Sequence, residues 1–456
     1  MMKLFHSQSA CLLAGLALFL PAGSSGPEPG TPPHGERKGH SSGRNFAAQT
    51  DVQSSARPST AAPGWDSERV WSGQDDWEPF LAADRSSRFV YQMTTRFNAL
   101  FSGIFIRRSP DGGKTWEADQ LIAPVDVWEA DPQVQVADDG TVFAVWLHGP
   151  HWESKLVKSY DHGATWSAPV VIAPGFRWTD HPWLAVSPDG RDVYVGFNQD
   201  DSYIAASHNG GASFEPPIRT NTQPTPGHWW DANGAAIAPD GSIYYVVINF
   251  FLNYKGPAEV NVVRSHDRGA SWQSTVVAVS ALPPGCSGAD GCDYGFLSTT
   301  AGLAIDRSGK IMVIYHAGDV TREPQPMWVI TSRDGINWTP RAQVSQPNDA
   351  ASNGFPAIAA GPVAGDFRLV WQGNNGDPRG WNTYYRRTTD GGATWSETAQ
   401  LSDRSGGAPY KTRAGYLFPY GDYLGLSVDG AGNNHVIWGE GSSYDGPGGV
   451  WYTRGF

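Results

Sequence analysis

"SPDGGKTW", residues 109–116, returns along the chain as "SYDHGATW" at 159, "SHNGGASF" at 207, "SHDRGASW" at 265, "SRDGINWT" at 332 and "TTDGGATW" at 388. A reacting group is needed once, whereas a unit of architecture is needed at every repeat, so six copies point to structure. Each copy stands between two short runs of strand character, as in "SKLVKSYDHGATWSAPVVI", which places it in a hairpin turn. There the Asp carboxylate accepts backbone N–H groups, the central Gly supplies a positive φ, and the closing Trp is an apolar anchor.

Around each such hairpin lies a second one, marked by "ADDG" at 137, "SPDG" at 187, "APDG" at 238 and "DRSG" at 306. The unit therefore reads as four strands, for example "PQVQVAD", "TVFAVWLH", "SKLVKSY" and "APVVIA" over residues 132–174. Four short antiparallel strands in a unit of roughly 45 to 60 residues predict a propeller blade, and the fold class is an all-β propeller. Six units carry the octapeptide. A seventh stretch from "YLGLSVDG" to the C-terminus has three strands, and "SERVWSG" at 67–73 is the spare strand that completes it. The expectation is seven four-stranded blades closed by pairing of N- and C-terminal strands, with six blades as the alternative.

Composition bounds the rest. Residues 1–23 read as a signal peptide, with Lys3 ahead of the apolar run "ACLLAGLALFL", too short to span a membrane. Residues 24–64 are rich in Pro, Gly, Ser, Thr and Ala and read as a disordered linker, and residues 65–456 as the propeller. The expected product is a secreted monomer, extracellular or periplasmic. In that compartment Cys286 and Cys292 are expected to form a local disulfide. A formal charge of −12 with no long Lys/Arg cluster argues against nucleic acid or an anionic membrane as partner.

The S-x-D-x-G-x-T-W copies at 109, 159 and 388, with looser ones at 207, 265 and 332, resemble the Asp-box or BNR repeats of the sialidase superfamily. The likeness covers most of Trp77 to Phe456. It implies a propeller and a glycoside hydrolase using an acid/base Asp, a Tyr nucleophile activated by a carboxylate, and a cluster of arginines on the sugar carboxylate. "YLGLSVDG" is similar to the last inner strand of that family, which makes Tyr423 the implied nucleophile, Asp231 or Asp422 its base, and Asp131 or Asp180 the acid. The family's F/Y-R-I-P motif is absent, and the inner strands "FLAAD", "VQVAD", "LAVSPD", "AAIAPD", "GLAID" and "LGLSVD" contain no arginine. Arg177, Arg379 and Arg413, in or beside loops, are the available substitutes.

Both tight turns of a blade fall on one face, so the long connections gather on the other, and that face is where a site is expected. Its loops carry Trp178, His181 and Trp230, whose aromatic planes beside carboxylates and amides suit sugar rings. An acidic residue recurs where inner strands begin: Glu78, Asp131, Asp180, Asp231, Asp293 and Asp422, with Asn353 in the sixth blade. Two roles fit such a ring. Each carboxylate caps backbone amides of a neighbour, or several converge and need a Ca²⁺-like cation, an arginine or a proton. The loop histidines His148, His151, His181, His228 and His316 offer a different chemistry, proton abstraction beside a uronic carboxylate as in propeller polysaccharide lyases. The sequence thus leads to a glycan-acting hydrolase of sialidase type, against a non-catalytic glycan- or protein-binding propeller or a lyase.

Overall fold

A computed structural model describes residues 61–72, 76–97, 101–123, 127–149, 151–251, 256–282, 299–345, 352–373, 381–402, 424–441 and 448–456. All named elements are strands. They are β1 (Arg69–Ser72), β2 (Asp76–Ala83), β3 (Val90–Phe97), β4 (Ser102–Ser109), β5 (Gln120–Leu121), β6 (Glu129–Val136), β7 (Val142–His148), β8 (Glu153–Ser159) and β9 (Val170–Val171). There follow β10 (Asp180–Val186), β11 (Val193–Gln199), β12 (Asp201–Ser207), β13 (Ile218–Arg219), β14 (His228–Ile237), β15 (Ile243–Phe251), β16 (Ala258–Ser265) and β17 (Gln273–Ser280). The remainder are β18 (Ala301–Ile305), β19 (Ile311–His316), β20 (Met327–Ser332), β21 (Ala342–Gln343), β22 (Asn353–Ala360), β23 (Phe367–Gly373), β24 (Asn382–Thr388), β25 (Ala399–Gln400), β26 (Gly425–Val428), β27 (Asn434–Gly441) and β28 (Gly448–Gly455).

These make seven four-stranded antiparallel sheets, six in simple chain order and the seventh in the order β1-β28-β27-β26. The chain is a seven-bladed β-propeller. Its ring closes as expected, with Arg69 opposite Tyr452 and a further bridge between Trp65 and Gly455. Closure leaves blade 7 with a paired outer strand instead of an open edge.

Each blade is pressed between two others, so its second strand is buried on both faces and reads as a continuous apolar run. "VFAVWLH" in β7 and "IMVIYH" in β19 are examples, with Trp146 and Ile314 at 1% and 0% exposure. Tight turns hold one end of every blade. In the first octapeptide the Ser109 hydroxyl donates to Asp111 and accepts the Gly113 N–H at 2.8 Å, while Asp111 accepts the Thr115 N–H at 2.9 Å and its hydroxyl at 2.7 Å. Asp161, Asp267 and Asp390 repeat the pattern, and Asn209 and Asp334 vary it. The closing aromatics pack between blades, as when Trp116 of blade 1 meets Tyr452 of blade 7 edge-on at 5.1 Å. The opposite ends, where Glu129 pairs with His148 and His148 with Glu153, carry the long connections. The octapeptides therefore lie on the face away from the loops.

Candidate functional site

The mouth of the ring on the loop face is built from bulges. In β2, β6, β10 and β22 the ladder slips by one residue just inside the loop face, between Trp77 and Phe80, Ala130 and Gln133, Asp180 and Trp183, and Gly354 and Ala357. The residue before a proline takes a left-handed backbone at each slip: Glu78 (φ 52°), Asp131 (53°), His181 (52°) and Phe355 (52°). Proline has no N–H to give a ladder, so a bulge is where an inner strand tolerates it.

Three of these bulges turn a backbone N–H toward the preceding blade, where a side chain takes it. Glu78 Oε2 accepts the Asp131 N–H at 3.0 Å, Asp131 Oδ2 accepts the His181 N–H at 3.3 Å, and Thr300 Oγ1 accepts the Phe355 N–H at 2.9 Å. Asn233 Oδ1 does the same for Ala301 at 3.0 Å. The acidic ring of the sequence thus separates into positions with different work. Glu78 and Asp131, at 4% and 1% exposure, staple one blade to the next. Asp180 sits one residue before the staple position of its blade, which His181 occupies, and Asp231 lies on regular ladder opposite Ile248.

Asp180 and Asp231 instead meet on one amide. Asn198 Nδ2 donates to Asp180 Oδ2 at 3.4 Å and to Asp231 Oδ1 at 3.1 Å. Asp180 is buried and Asp231 is partly open. Phe80 of blade 1 and Trp183 of blade 3 touch edge to face at 5.8 Å. Asn198 carries no repeat signal in the sequence, and sequence reasoning missed it.

A second arrangement lies between blades 1 and 2. Glu129 is fully buried, its main-chain N–H and C=O both bonded to the Ser102 hydroxyl at 2.7 and 2.6 Å, and its Oε1 lies 2.7 Å from His148 Nδ1. The His148 side chain keeps 20% exposure. Burial pushes the Glu129 carboxyl up, against the hydrogen bond from His148. A carboxylate on Nδ1 fixes the imidazole and leaves Nε2 for proton exchange. Glu129 stands two residues before Asp131 and passed unnoticed beside it.

The other histidines are placed differently. His316 is buried, with Nε2 accepting the Thr300 N–H at 2.8 Å and Nδ1 therefore donating to Gln325 Oε1 at 2.7 Å. Both nitrogens are committed, which makes it a neutral structural group. His228 donates to Asn249, which in turn donates to Glu259, each at 2.9 Å. His151 is exposed and His181 buried.

Among the predicted sugar platforms, Trp178 and Trp230 are 4% and 5% exposed and belong to apolar clusters, with the Trp230 indole N–H donating to Thr225. Arg177 lies at the rim over the Trp178 ring and pairs with Asp200 at 3.3 Å. Tyr423, Asp422, Asp293, Arg379 and Arg413, with Cys286 and Cys292, lie outside the described residues. Among the described residues no three His, Cys, Asp or Glu side chains cluster so as to hold a metal ion, and no helix is long and apolar enough to cross a membrane.

The sequence matches no family model and no curated protein. Solved structures similar to this chain include the following. An ulvan lyase of polysaccharide lyase family PL25 is 12% identical over 85% of this chain and 95% of its own, with a TM-score of 0.53. A Dyadobacter fermentans protein of unknown function is 13% identical over 86% and 99%, at 0.49. The Hadza microbial sialidase Hz136 is 15% identical over 83% of this chain and 65% of its own, at 0.45. The chain thus spans just under two thirds of that sialidase, and the likeness to the lyase is one of fold.

Proposed function

We propose that this chain is a glycan-active propeller whose hydrolytic site is the mouth of the loop face, with Asp180 and Asp231 as its carboxylate pair. The observation that carries the reading is the convergence of these two side chains on Asn198 from adjacent blades. Glycosidic cleavage uses two carboxyl groups in unlike settings, one protonating the leaving oxygen and one acting as base or nucleophile. Burial favours the protonated form, which assigns the acid to Asp180 and the base or nucleophile to the more open Asp231. Asp131, engaged by the His181 N–H, serves the scaffold in this reading.

The test is a panel of aryl glycosides and natural glycans with wild type, Asp180→Asn and Asp231→Asn. Each variant is expected to lose about 10²-fold or more in kcat while keeping its circular dichroism and glycan binding. Turnover untouched by both changes, or no turnover of any glycoside, counts against it.

The His148–Glu129 pair favours a second reading, eliminative cleavage at a uronate. There the imidazole takes the proton beside the carboxylate, the electron pair of that C–H bond forms the ring double bond, and the glycosidic oxygen leaves with its bonding electrons and takes a proton from the imidazolium or from water. An ultraviolet-absorbing unsaturated product, lost in His148→Gln and kept in Asp231→Asn, selects it over hydrolysis.

A further inference from the structure

Trp152 is the one tryptophan among the described residues with a left-handed backbone, at φ 53°. Strands β7 and β8 close on His148 opposite Glu153, so Trp152 is the last residue of the blade 2 hairpin tip. A left-handed backbone ordinarily belongs to Gly or Asn, and a bulky side chain is strained there. Main-chain bonds hold the strain in place. The Thr179 N–H donates to the Trp152 C=O at 2.8 Å, and the Ser154 hydroxyl donates to the Thr179 C=O at 2.7 Å. Neither bond needs the indole. That side chain is half-buried against the apolar cluster that contains Trp178 and Trp229, and its N–H has no partner among the described residues yet is not sealed from solvent. The Trp178 N–H, by contrast, is sealed in. A strained aromatic that the hairpin's own bonds do not require has its use outside the fold.

We propose that Trp152 is the sugar-stacking platform of the loop face, its indole lying against the C–H face of a pyranose and its N–H donating to a sugar hydroxyl. It takes the place of Trp178 and Trp230, which the structure buries. The hairpin tip adjoins both chemical groups of the loop face, since His148 opens the hairpin and Asp180 directly follows Thr179. The ligand is therefore an oligosaccharide that extends past the sugar being cleaved, with a neighbouring pyranose resting on Trp152. This rests on the reading of the loop face as glycan-active and holds for either route of cleavage.

An array of neutral, sialylated and uronate-containing oligosaccharides, followed by titration calorimetry on those retained, tests it beside thermal melting of the same samples. Trp152→Gly and Trp152→Asn both relieve the left-handed strain while deleting the indole. They are expected to melt at or above wild type and to bind about tenfold or more weaker. Trp152→Tyr keeps an aromatic face and is expected to bind within about threefold of wild type. Tyr160→Ala deletes a more exposed aromatic on the octapeptide face and is expected to leave binding unchanged. If both strain-relieving variants melt well below wild type, the indole is core packing and the proposal falls. A wild type that binds and cleaves glycans, with Trp152→Gly at full affinity, overturns it alone. A wild type that retains no oligosaccharide overturns it together with the reading it rests on.

Discussion

Gly112 and Gly113 are neighbours in the first octapeptide, both left-handed at φ 74° and 79°, and differ in what a methyl group would meet. At Gly112 a Cβ has nothing within 4 Å; at Gly113 it would overlap the Tyr452 hydroxyl and lie 3.3 Å from His435 Nδ1. Gly112→Ala should therefore cost only the left-handed penalty, about 1 kcal/mol. Gly113→Ala adds the displacement of a buried tyrosine whose hydroxyl lies 2.7 Å from buried His435, bringing the total to about 2–4 kcal/mol. Chemical denaturation of the two variants measures the difference. Tyr452→Phe removes the atom that the new methyl meets, so in the Gly113→Ala background it should recover about 1 kcal/mol or more in a double-mutant cycle. Equal losses at the two glycines, or a cycle with no coupling, would refute the claim that the central glycine is there to let blade 1 approach blade 7.

Asp131→Asn keeps an acceptor for the His181 N–H and should leave both stability and turnover near wild type, whereas Asp131→Ala should cost about 1–3 kcal/mol without removing activity; denaturation and kinetics on the same samples check this. Arg368→Met should destabilise by about 3–5 kcal/mol in denaturation. That guanidinium is buried, is paired with Asp366, and reaches Gly432 O and Asn434 of blade 7 at 2.7 and 2.8 Å. Acid should weaken the turns. Desolvation pushes Asp111 up, but bonds from Thr115, Ser109 and Lys114 hold it lowered to about 2, and bonds from Ser271 and Ser265 hold Asp267 at about 2 as well. Because these folded values lie below the unfolded one near 4, the contribution is complete above that value and is lost as pH falls toward 2; melting curves over this window should flatten in Asp111→Asn with Asp267→Asn.

The octapeptides announced the fold because a turn's requirements are local. A carboxylate on amides two to four residues away and a glycine at positive φ are written in eight consecutive residues, and the six copies mark six of the seven blades. The strand Arg69–Ser72 was legible as the missing outer strand for the same reason: one unit had three strands and another segment had no partner. The loop mouth was legible only as a list of residue types. Glu78, Asp131, Asp180 and Asp231 look equivalent along the chain, yet a bulge shifts register by one residue, and one residue reverses the side of a strand on which a side chain stands. That shift made Asp131 a staple and sent Asp180 to meet Asp231 on Asn198. The prolines at 79, 132, 182 and 356 were the available clue.

Sequence by itself determined the blade and the face that carries the loops, since these follow from hydrogen bonds within a few residues. Only the tertiary structure decided which side chains meet at the mouth. Those meetings join residues from different blades, across separations that no local pattern records, and depend on the register each inner strand takes when the ring closes.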